Sequence, residues 1–442
     1  MHITIAGAAR SGLAAARLAK RLGHRVAITS LTPPSPTEAD ELARLGIALR
    51  IGPHTDVDYE ADLLVLSPGI PPTSPIRQGA LTHAVETIGE LEFAWRHCPN
   101  PVIGITGTNG KTTTTMLTTH ILNNSGRSAV AVGNVGTPLS DVVDSLTADT
   151  IVVAEVSSYQ LDTCTSFAPR VACILNITPD HLAYHGSFEQ YVHAKWKICQ
   201  YQNSTDTVIL NADEPHAAGA ASVARGNVVF ISAGNQQQGA CVRGDQIVIA
   251  AGSPHKEEFF MPVKRLGLPG LHNLYNSMAA AVAARAFEVS NDDLRHSLES
   301  FSGVEHRLEP VRTLRGVRYV NDSKATNINA AWYALSSYDR PIVWIAGGRG
   351  DGNDYSTLDD VVAKNVRAIV CIGEEGPAIF NHWCTTKRCV QAATLAEAVA
   401  AAASLAEPDD VVLFSPACKS FDMFDNFEHR GEAFKHLVHD IA

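Results

Sequence analysis

The residues Thr106-Gly107-Thr108-Asn109-Gly110-Lys111-Thr112-Thr113 follow the apolar run Val102–Thr106 and lead into a helix-forming stretch, Thr112–Asn124. Strand, glycine loop and helix in that order aim backbone N–H groups and a helix N-terminus at one point. Such a point binds phosphate. Lys111 is placed to reach the outer phosphates of a nucleotide, and the Thr112 hydroxyl to ligate Mg²⁺. The spacing departs from a strict Walker A pattern, because Ile105 stands where its first glycine belongs.

Three more groups belong to the same chemistry. Glu155 closes the apolar run Thr150–Val156, and in parallel sheets ligands gather at the carboxyl ends of strands. It is expected to face the phosphates and take Mg²⁺. Asp180-His181 follows another apolar run, Val171–Ile177, and Lys195 lies two residues beyond His193. Taken alone, Lys195 reads as surface charge. Near the N-terminus, Gly7-Ala8-Ala9-Arg10-Ser11-Gly12 stands where a GxGxxG dinucleotide fingerprint would. Ala9 replaces the second glycine, and the strand ending at Thr29-Ser30 lacks the acidic residue expected on an NAD ribose. Both departures weigh against a dehydrogenase. In the last third, Arg307 and Asp322 are placed to grip the base and ribose of ATP.

These groups need strands to hold them, and the chain supplies three successive sets. His2–Ala6, Arg25–Thr29 and Asp62–Ser67 are expected strands, with helices over Gly12–Leu22 and Thr37–Leu45. Glu86–His97 reads as a linking helix. The second set is Val102–Thr106, Ala129–Val132, Thr150–Val156, Val171–Ile177, Thr207–Asn211 and Val228–Ser232. A polar loop, Asn235–Gly239, and an Ala-rich helix, Met278–Ala286, follow. The third set is Pro341–Ala346, Arg367–Ile372 and Asp410–Ser415, with a helix over Thr394–Leu405. Strands alternating with helices predict parallel sheets. The expected fold is α/β in three domains: 1–93 Rossmann-like, 94–299 a central P-loop ATPase-type domain with a mostly parallel sheet, and 300–442 Rossmann-like.

Composition narrows the function. Of 442 residues, 45% are hydrophobic and 18% charged, enough apolar content for packed cores. Lys and Arg total 35 against 46 Asp and Glu, a net charge of −11, which argues against nucleic acid as partner. No apolar run approaches the roughly 18 residues of a membrane helix, and no signal peptide is visible. The nine cysteines form no CxxC pair, so they are read as buried thiols of a reducing compartment. The expectation is a cytoplasmic monomer without membrane insertion.

At Thr106–Thr113 the chain resembles the Mur ligases, the ATP-dependent amino-acid-adding enzymes of peptidoglycan synthesis. Ser67-Pro68-Gly69-Ile70, Gly133-Asn134-Val135-Gly136, Asp180-His181, Asn321-Asp322-Ser323-Lys324-Ala325-Thr326-Asn327 and Ser415-Pro416-Ala417-Cys418-Lys419-Ser420-Phe421 are similar to its D-glutamate-adding members. The resemblance implies UDP-N-acetylmuramoyl-L-alanine and D-glutamate as substrates, with ATP and Mg²⁺. It places Arg10, Ser11, Thr29, Ser30 and Gly69 near UDP, and Asn134, Ser157 and Gln160 on the nucleotide-sugar. It places Gly107, Thr108, Asn109, Gly110, Lys111, Thr112 and Thr113 on the phosphates. Asn276, Arg307 and Asp322 would contact adenosine. Thr112 and Glu155 would hold one Mg²⁺, and His181 and Lys195 a second, with Lys195 carbamylated. Thr326, Ser420, Phe421 and Phe427 would form the amino-acid pocket.

The pattern is broken in three places. The UDP-proximal acidic residue is missing near Thr29. Ala183-Tyr184 replaces Asp-Arg after Asp180-His181. Gly347-Gly348-Arg349-Gly350-Asp351-Gly352 stands for GGxDKG, so Asp351 occupies the place of a cation. Arg349 is expected to anchor the glutamate side chain instead. The alternatives are the same chemistry with another acceptor, such as L-glutamate, and a nucleotide-switch binding protein; an NAD-linked oxidoreductase comes third.

Overall fold

The computed structural model describes residues 1–134, 136–234, 239–250, 259–350 and 352–441. Val135, Asp351 and the 235–238 part of the expected polar loop lie outside the described residues. The chain is α/β, with mostly parallel sheets in three domains. Two compact units form, Met1–Gly267 with Asn273–Phe301, and Leu268–His272 with Ser302–Ala442.

The first unit holds two sheets. One has the strands β1 (His2–Ala6), β2 (Arg25–Ser30), β3 (Ala48–Ile51), β4 (Leu63–Leu66) and β5 (Glu86–Gly89), all parallel, in the order β3-β2-β1-β4-β5. The expected helix Glu86–His97 is corrected here. Glu86–Gly89 pairs with β4, and only Glu90–Trp95 is helical. The second sheet has β6 (Val102–Thr106), β7 (Ala129–Gly133), β8 (Ile151–Glu155), β9 (Val171–Ile174), β10 (Thr207–Asn211), β11 (Asn227–Ser232), β12 (Gly239–Arg243), β13 (Gln246–Ala250) and β14 (Phe259–Pro262). Its order is β14-β13-β12-β11-β10-β9-β6-β8-β7. Among its described strands only β12 to β14 pair antiparallel, a ribbon absent from the expected strands.

Apolar burial explains why these strands sit inside. In β6 and β8 every residue is buried, as expected for a parallel sheet covered on both faces. One apolar core runs from Ile3, Ile5 and Leu13 through Leu139 and Val143 to Val152 and Ala154, so the first two sheets pack as one body. Arg17 and Arg21 of the helix Arg10–Arg21 pair with Asp141 and Asp144 beside that core.

The second unit holds β15 (Glu309–Leu314), β16 (Val317–Asn321), β17 (Ile342–Gly347), β18 (Val366–Ile372), β19 (Arg388–Gln391) and β20 (Val411–Phe414), ordered β15-β16-β20-β17-β18-β19. All neighbours are parallel except β15 and β16. Trp344 and Phe414 are wholly buried at its centre. Among the described residues no helix is long and apolar enough to cross a membrane.

Candidate active site

The phosphate loop lies between β6 and the helix Lys111–Asn124. Gly110 caps that helix at φ +85°, and a Cβ there would meet the Asn276 Oδ1 at 2.3 Å. Only glycine serves this position. The same close approach seats Asn276 of the helix Leu271–Arg285 against the loop. Asn109 is held by Asn176, whose Oδ1 accepts from its N–H at 2.8 Å and whose Nδ2 donates to its carbonyl at 3.0 Å. The Thr108 hydroxyl donates to the Thr178 carbonyl at 3.1 Å and lies 2.9 Å from the Tyr191 hydroxyl.

The charged groups converge on this loop. Thr112 donates from Oγ1 to Glu155 Oε2 at 2.7 Å, and Asn134 Nδ2 donates to Glu155 Oε1 at 3.0 Å. Glu155 is 2% exposed. Lys111 Nζ donates to the carbonyls of Gly107 and Thr108, at 2.9 and 2.8 Å. Lys195 Nζ donates to that same Gly107 carbonyl at 2.8 Å. Far from being surface charge, Lys195 is 1% exposed. Burial pushes its amine well below the ordinary lysine range; Lys111 adds to this, and Asp180 opposes it. His181 adopts a left-handed backbone, φ 55°, with Nε2 3.4 Å from Asp180 Oδ2 and its ring 4.8 Å from that of Tyr159.

On the first sheet, Arg10 is exposed and reaches the Asn134 carbonyl at 3.4 Å. Ser11 is half-buried and Gly69 exposed. Thr29 and Ser30 point inward. Thr29 donates to Asp58 Oδ2 at 3.2 Å and lies 2.9 Å from His54 Nδ1, while Ser30 donates to the Thr32 carbonyl at 2.7 Å. Ser157 and Gln160 engage each other. The Gln160 Oε1 accepts from the Ser157 N–H at 2.9 Å, and Ser157 Oγ accepts from the Gln160 N–H at 3.3 Å. Their polar atoms form a helix cap rather than an open contact surface.

The second unit gathers the remaining residues at the carboxyl ends of β16, β17, β18 and β20. Asp322 is 3% exposed and accepts from Ser415 Oγ at 2.8 Å and from the Leu308 N–H at 3.2 Å. Burial pushes its carboxyl up to about 6, against the pull of Arg307. Thr326 is half-buried, Ser420 is buried and Phe421 is 59% exposed. Phe427 opens the helix Phe427–His439, with Lys324 Nζ 5.3 Å from its ring centre. Arg349, the expected anchor, pairs at the surface with Glu374, its Nε and Nη2 donating at 3.0 and 2.9 Å.

The chain is similar in sequence and in fold to known proteins. The profile of the Mur ligase middle domain matches residues 105–284, and that of the Mur ligase glutamate ligase domain residues 306–418. A UDP-N-acetylmuramoylalanine–D-glutamate ligase of Salinibacter ruber is 45% identical, covering 99% of this chain and 97% of its own. This chain belongs to the Mur ligase family. A Pelotomaculum thermopropionicum enzyme of the same name is 40% identical over 99% of this chain and 97% of its own. Among solved structures, a pseudomurein peptide ligase type C from Methanothermus fervidus has the same fold, with a TM-score of 0.61, 20% identity and full coverage of both chains. As a Mur ligase, the protein is an ATP-dependent ligase.

Two residues of this Mur ligase escaped the sequence reading. Asp58 is 2% exposed, and Arg50 Nε donates to it at 2.6 Å. It stands beside the end of β2, where an acidic residue is missing from the strand itself. Its signal in the sequence is the capping spacing Thr55-x-x-Asp58. Arg430 is 1% exposed and donates to Ser323 and to the Cys418 carbonyl at 2.8 to 3.1 Å. It ties the loop carrying Thr326 to the loop carrying Ser420. No sequence pattern marked it.

Proposed function

We propose that this Mur ligase joins D-glutamate to UDP-N-acetylmuramoyl-L-alanine, with ATP converted to ADP and phosphate, as a cytoplasmic monomer in peptidoglycan precursor synthesis. The domains are assigned as 1–93 for the UDP-substrate, 94–299 for ATP and 300–442 for the amino acid. The observation that carries the reading is the convergence of Lys111, Thr112, Glu155 and Lys195 on one phosphate loop.

In the first step a carboxylate oxygen of the L-alanyl group attacks the γ-phosphorus, and the bond to the ADP oxygen breaks. An acyl phosphate results. The D-glutamate amine then attacks its carbonyl carbon, a proton leaves the nitrogen, and collapse of the tetrahedral intermediate expels phosphate. Lys111 exchanges its two carbonyl contacts for the γ-phosphate, so its charge moves with the group being transferred. Catalysis of this kind is mainly positioning and electrostatic stabilisation.

Thr112 and Glu155 offer a hydroxyl and a buried carboxylate 2.7 Å apart, hard oxygen donors that suit Mg²⁺. Bound there, Mg²⁺ would neutralise phosphate charge. His181 and Lys195 are assigned to a second Mg²⁺, with Lys195 as a carbamate. An ammonium beside Mg²⁺ would repel it, whereas a carbamate offers it a hard oxygen ligand. Arg10, Ser11 and Gly69 are assigned to the nucleotide-sugar. Thr29, Ser30, Ser157 and Gln160 would shape that site through the loops they fix. Asn276, Arg307 and Asp322 are assigned to adenosine, and Thr326, Ser420, Phe421 and Phe427 to the amino acid.

Phosphate release with each substrate omitted in turn tests this reading. It requires release to depend on the UDP-sugar and to rise greatly with D-glutamate. Vigorous hydrolysis of ATP alone would instead favour a nucleotide switch.

A further inference from the structure

We propose that Arg77 is a positioning residue for the nucleotide-sugar: it ties the loop carrying Gly69 to the helix carrying Gln160 and to the segment that follows His181. The inference deepens the proposed function and rests on its assignment of the nucleotide-sugar to Gly69, Ser157 and Gln160.

Local sequence decides where Arg77 stands. It lies in the helix Pro75–Thr82, which follows β4 and the loop 67–74. Pro75 opens that helix, where its missing N–H has no partner to lose. Ile76 and Ala80 are four apart, hence on one helix face, and are buried with Leu64 and Leu66 of β4. Arg77 is the next residue round the helix from Ile76, and its side chain is 19% exposed.

Three segments meet at its guanidinium. Arg77 Nη1 donates to Asp162 Oδ2 at 3.0 Å, and it reaches the Tyr184 hydroxyl at 3.3 Å and the Ile70 carbonyl at 3.4 Å. Ile70 ends the stretch Ser67-Pro68-Gly69-Ile70. Asp162 ends the helix Ser158–Asp162, which Ser157 caps and which carries Gln160. Tyr184 belongs to the short helix Leu182–His185, which His181 opens. Asp162 is also gripped through its backbone. Lys197, two residues beyond Lys195 on the helix Phe188–Gln200, donates to the Asp162 carbonyl at 2.5 Å.

Tyr184 is one of the residues at which the Asp-Arg pattern is broken, and it passes the link onward. Its hydroxyl donates to Asp162 Oδ2 at 3.4 Å. Burial, with the Asp162 charge adding to it, pushes that hydroxyl above its ordinary range, so it stays a donor. The Tyr184 ring centre lies 4.4 Å from that of Tyr159, which lies 4.8 Å from that of His181. An ion pair that is largely buried and networked holds a geometry, as an isolated surface pair does not. Arg77 therefore sets where the nucleotide-sugar loop stands relative to the phosphate side of the same unit. Attack on the γ-phosphorus needs the reacting atoms within about 3.5 Å, and a misplacement of about 1 Å costs on the order of a hundredfold in rate.

The test is steady-state phosphate release by the full-length enzyme at saturating D-glutamate, with UDP-N-acetylmuramoyl-L-alanine and ATP varied in turn. It compares wild type, Arg77→Met, Arg77→Lys and the double variant Arg77→Met with Tyr184→Arg. Arg77→Met is expected to lower kcat/KM for the nucleotide-sugar about tenfold or more. The KM for ATP should move less than about twofold, since the phosphate loop keeps its own contacts. Arg77→Lys should lose less, because a point charge replaces the planar fork but still reaches Asp162. The double variant should recover most of the loss, because position 184 lies close enough to Asp162 to return a guanidinium to it. An Arg77→Met enzyme with wild-type kcat/KM for the nucleotide-sugar overturns the assignment, whatever its melting temperature. Equal losses toward ATP and nucleotide-sugar overturn it as well, since they mark a general structural role. Should Arg77→Met fail to fold, Arg77→Lys carries the test: a loss confined to the nucleotide-sugar supports the assignment, and no loss overturns it. If wild type releases no phosphate with the nucleotide-sugar, the substrate reading beneath it has failed instead.

Discussion

Lys195 Nζ donates to the carbonyl of Gly107 at 2.8 Å, although the two residues are 88 positions apart in sequence. The helix Phe188–Gln200 thereby delivers a buried amine to the phosphate loop. Lys111 donates to the same carbonyl at 2.9 Å, so two ammonium groups would share one small site.

That crowding has a chemical outlet. Only an uncharged amine attacks CO₂, and burial already favours the uncharged form of Lys195. Lys195→Ala should lose on the order of a hundredfold in kcat and recover part of it with added acetate or propionate. Activity of the wild type should also fall in CO₂-depleted buffer. An Ala variant as active as wild type would remove Lys195 from the mechanism.

Arg10 stands at the start of the helix Arg10–Arg21, where it reaches the Asn134 carbonyl and is otherwise exposed. Arg10→Ala should raise the KM for the nucleotide-sugar about tenfold, as loss of a charge-assisted contact does, and leave that for ATP unchanged. Isothermal titration with each ligand separates the two effects. Equal losses would show that 1–93 is not the UDP-binding part.

Asp322 gives the second unit a pH signature. Its carboxyl is pushed up to about 6 by burial, above the ordinary aspartate value. The native state therefore holds a proton between about 4 and 6 that the unfolded chain has released, and stability falls as pH rises through that window. Asp322→Asn should remove the slope and stabilise on the order of 2 kcal/mol above pH 6, where wild type carries the full burden of a buried charge. Thermal melts at pH 4.5 and pH 8 measure the difference. A variant less stable than wild type at pH 8 would contradict it.

Arg430 has its guanidinium buried, with Ser323 and the Cys418 carbonyl as acceptors. Arg430→Met keeps the volume and strands those acceptors. It should cost about 2–3 kcal/mol in a denaturant titration and raise the KM for D-glutamate more than that for ATP. Arg430→Lys should recover part of the KM. A stability loss with no change in any KM would make it purely structural.

Much of the central site was legible because its parts are local. Lys111 and Thr112 sit inside one strand-loop-helix segment, and Glu155 ends a wholly apolar strand, so position follows from pattern. Asp58 carried only a capping spacing, Thr55-x-x-Asp58, which does not say that the side chain reaches Thr29 at the end of β2. The strand Glu86–Gly89 was hidden by the helix formers that follow it. The hairpin of β15 and β16 is marked in the sequence by its turn alone. Arg315 and Gly316 form its two-residue turn, with φ of 52° and 82°, the geometry that twisted hairpins favour. The pairing of Arg349 with Glu374 joins two loops, and no spacing in the chain announces it.

The central claim is that an ATP-driven acyl transfer ends on D-glutamate. Its most direct test offers the enzyme ATP, Mg²⁺, UDP-N-acetylmuramoyl-L-alanine and one amino acid at a time, with mass spectrometry of the nucleotide-sugar product. The expected result is one D-glutamyl residue added for each phosphate released, and little or no product with L-glutamate, L-alanine or a diamino acid. Faster addition of any other amino acid, or phosphate release without a new peptide bond, would contradict the account.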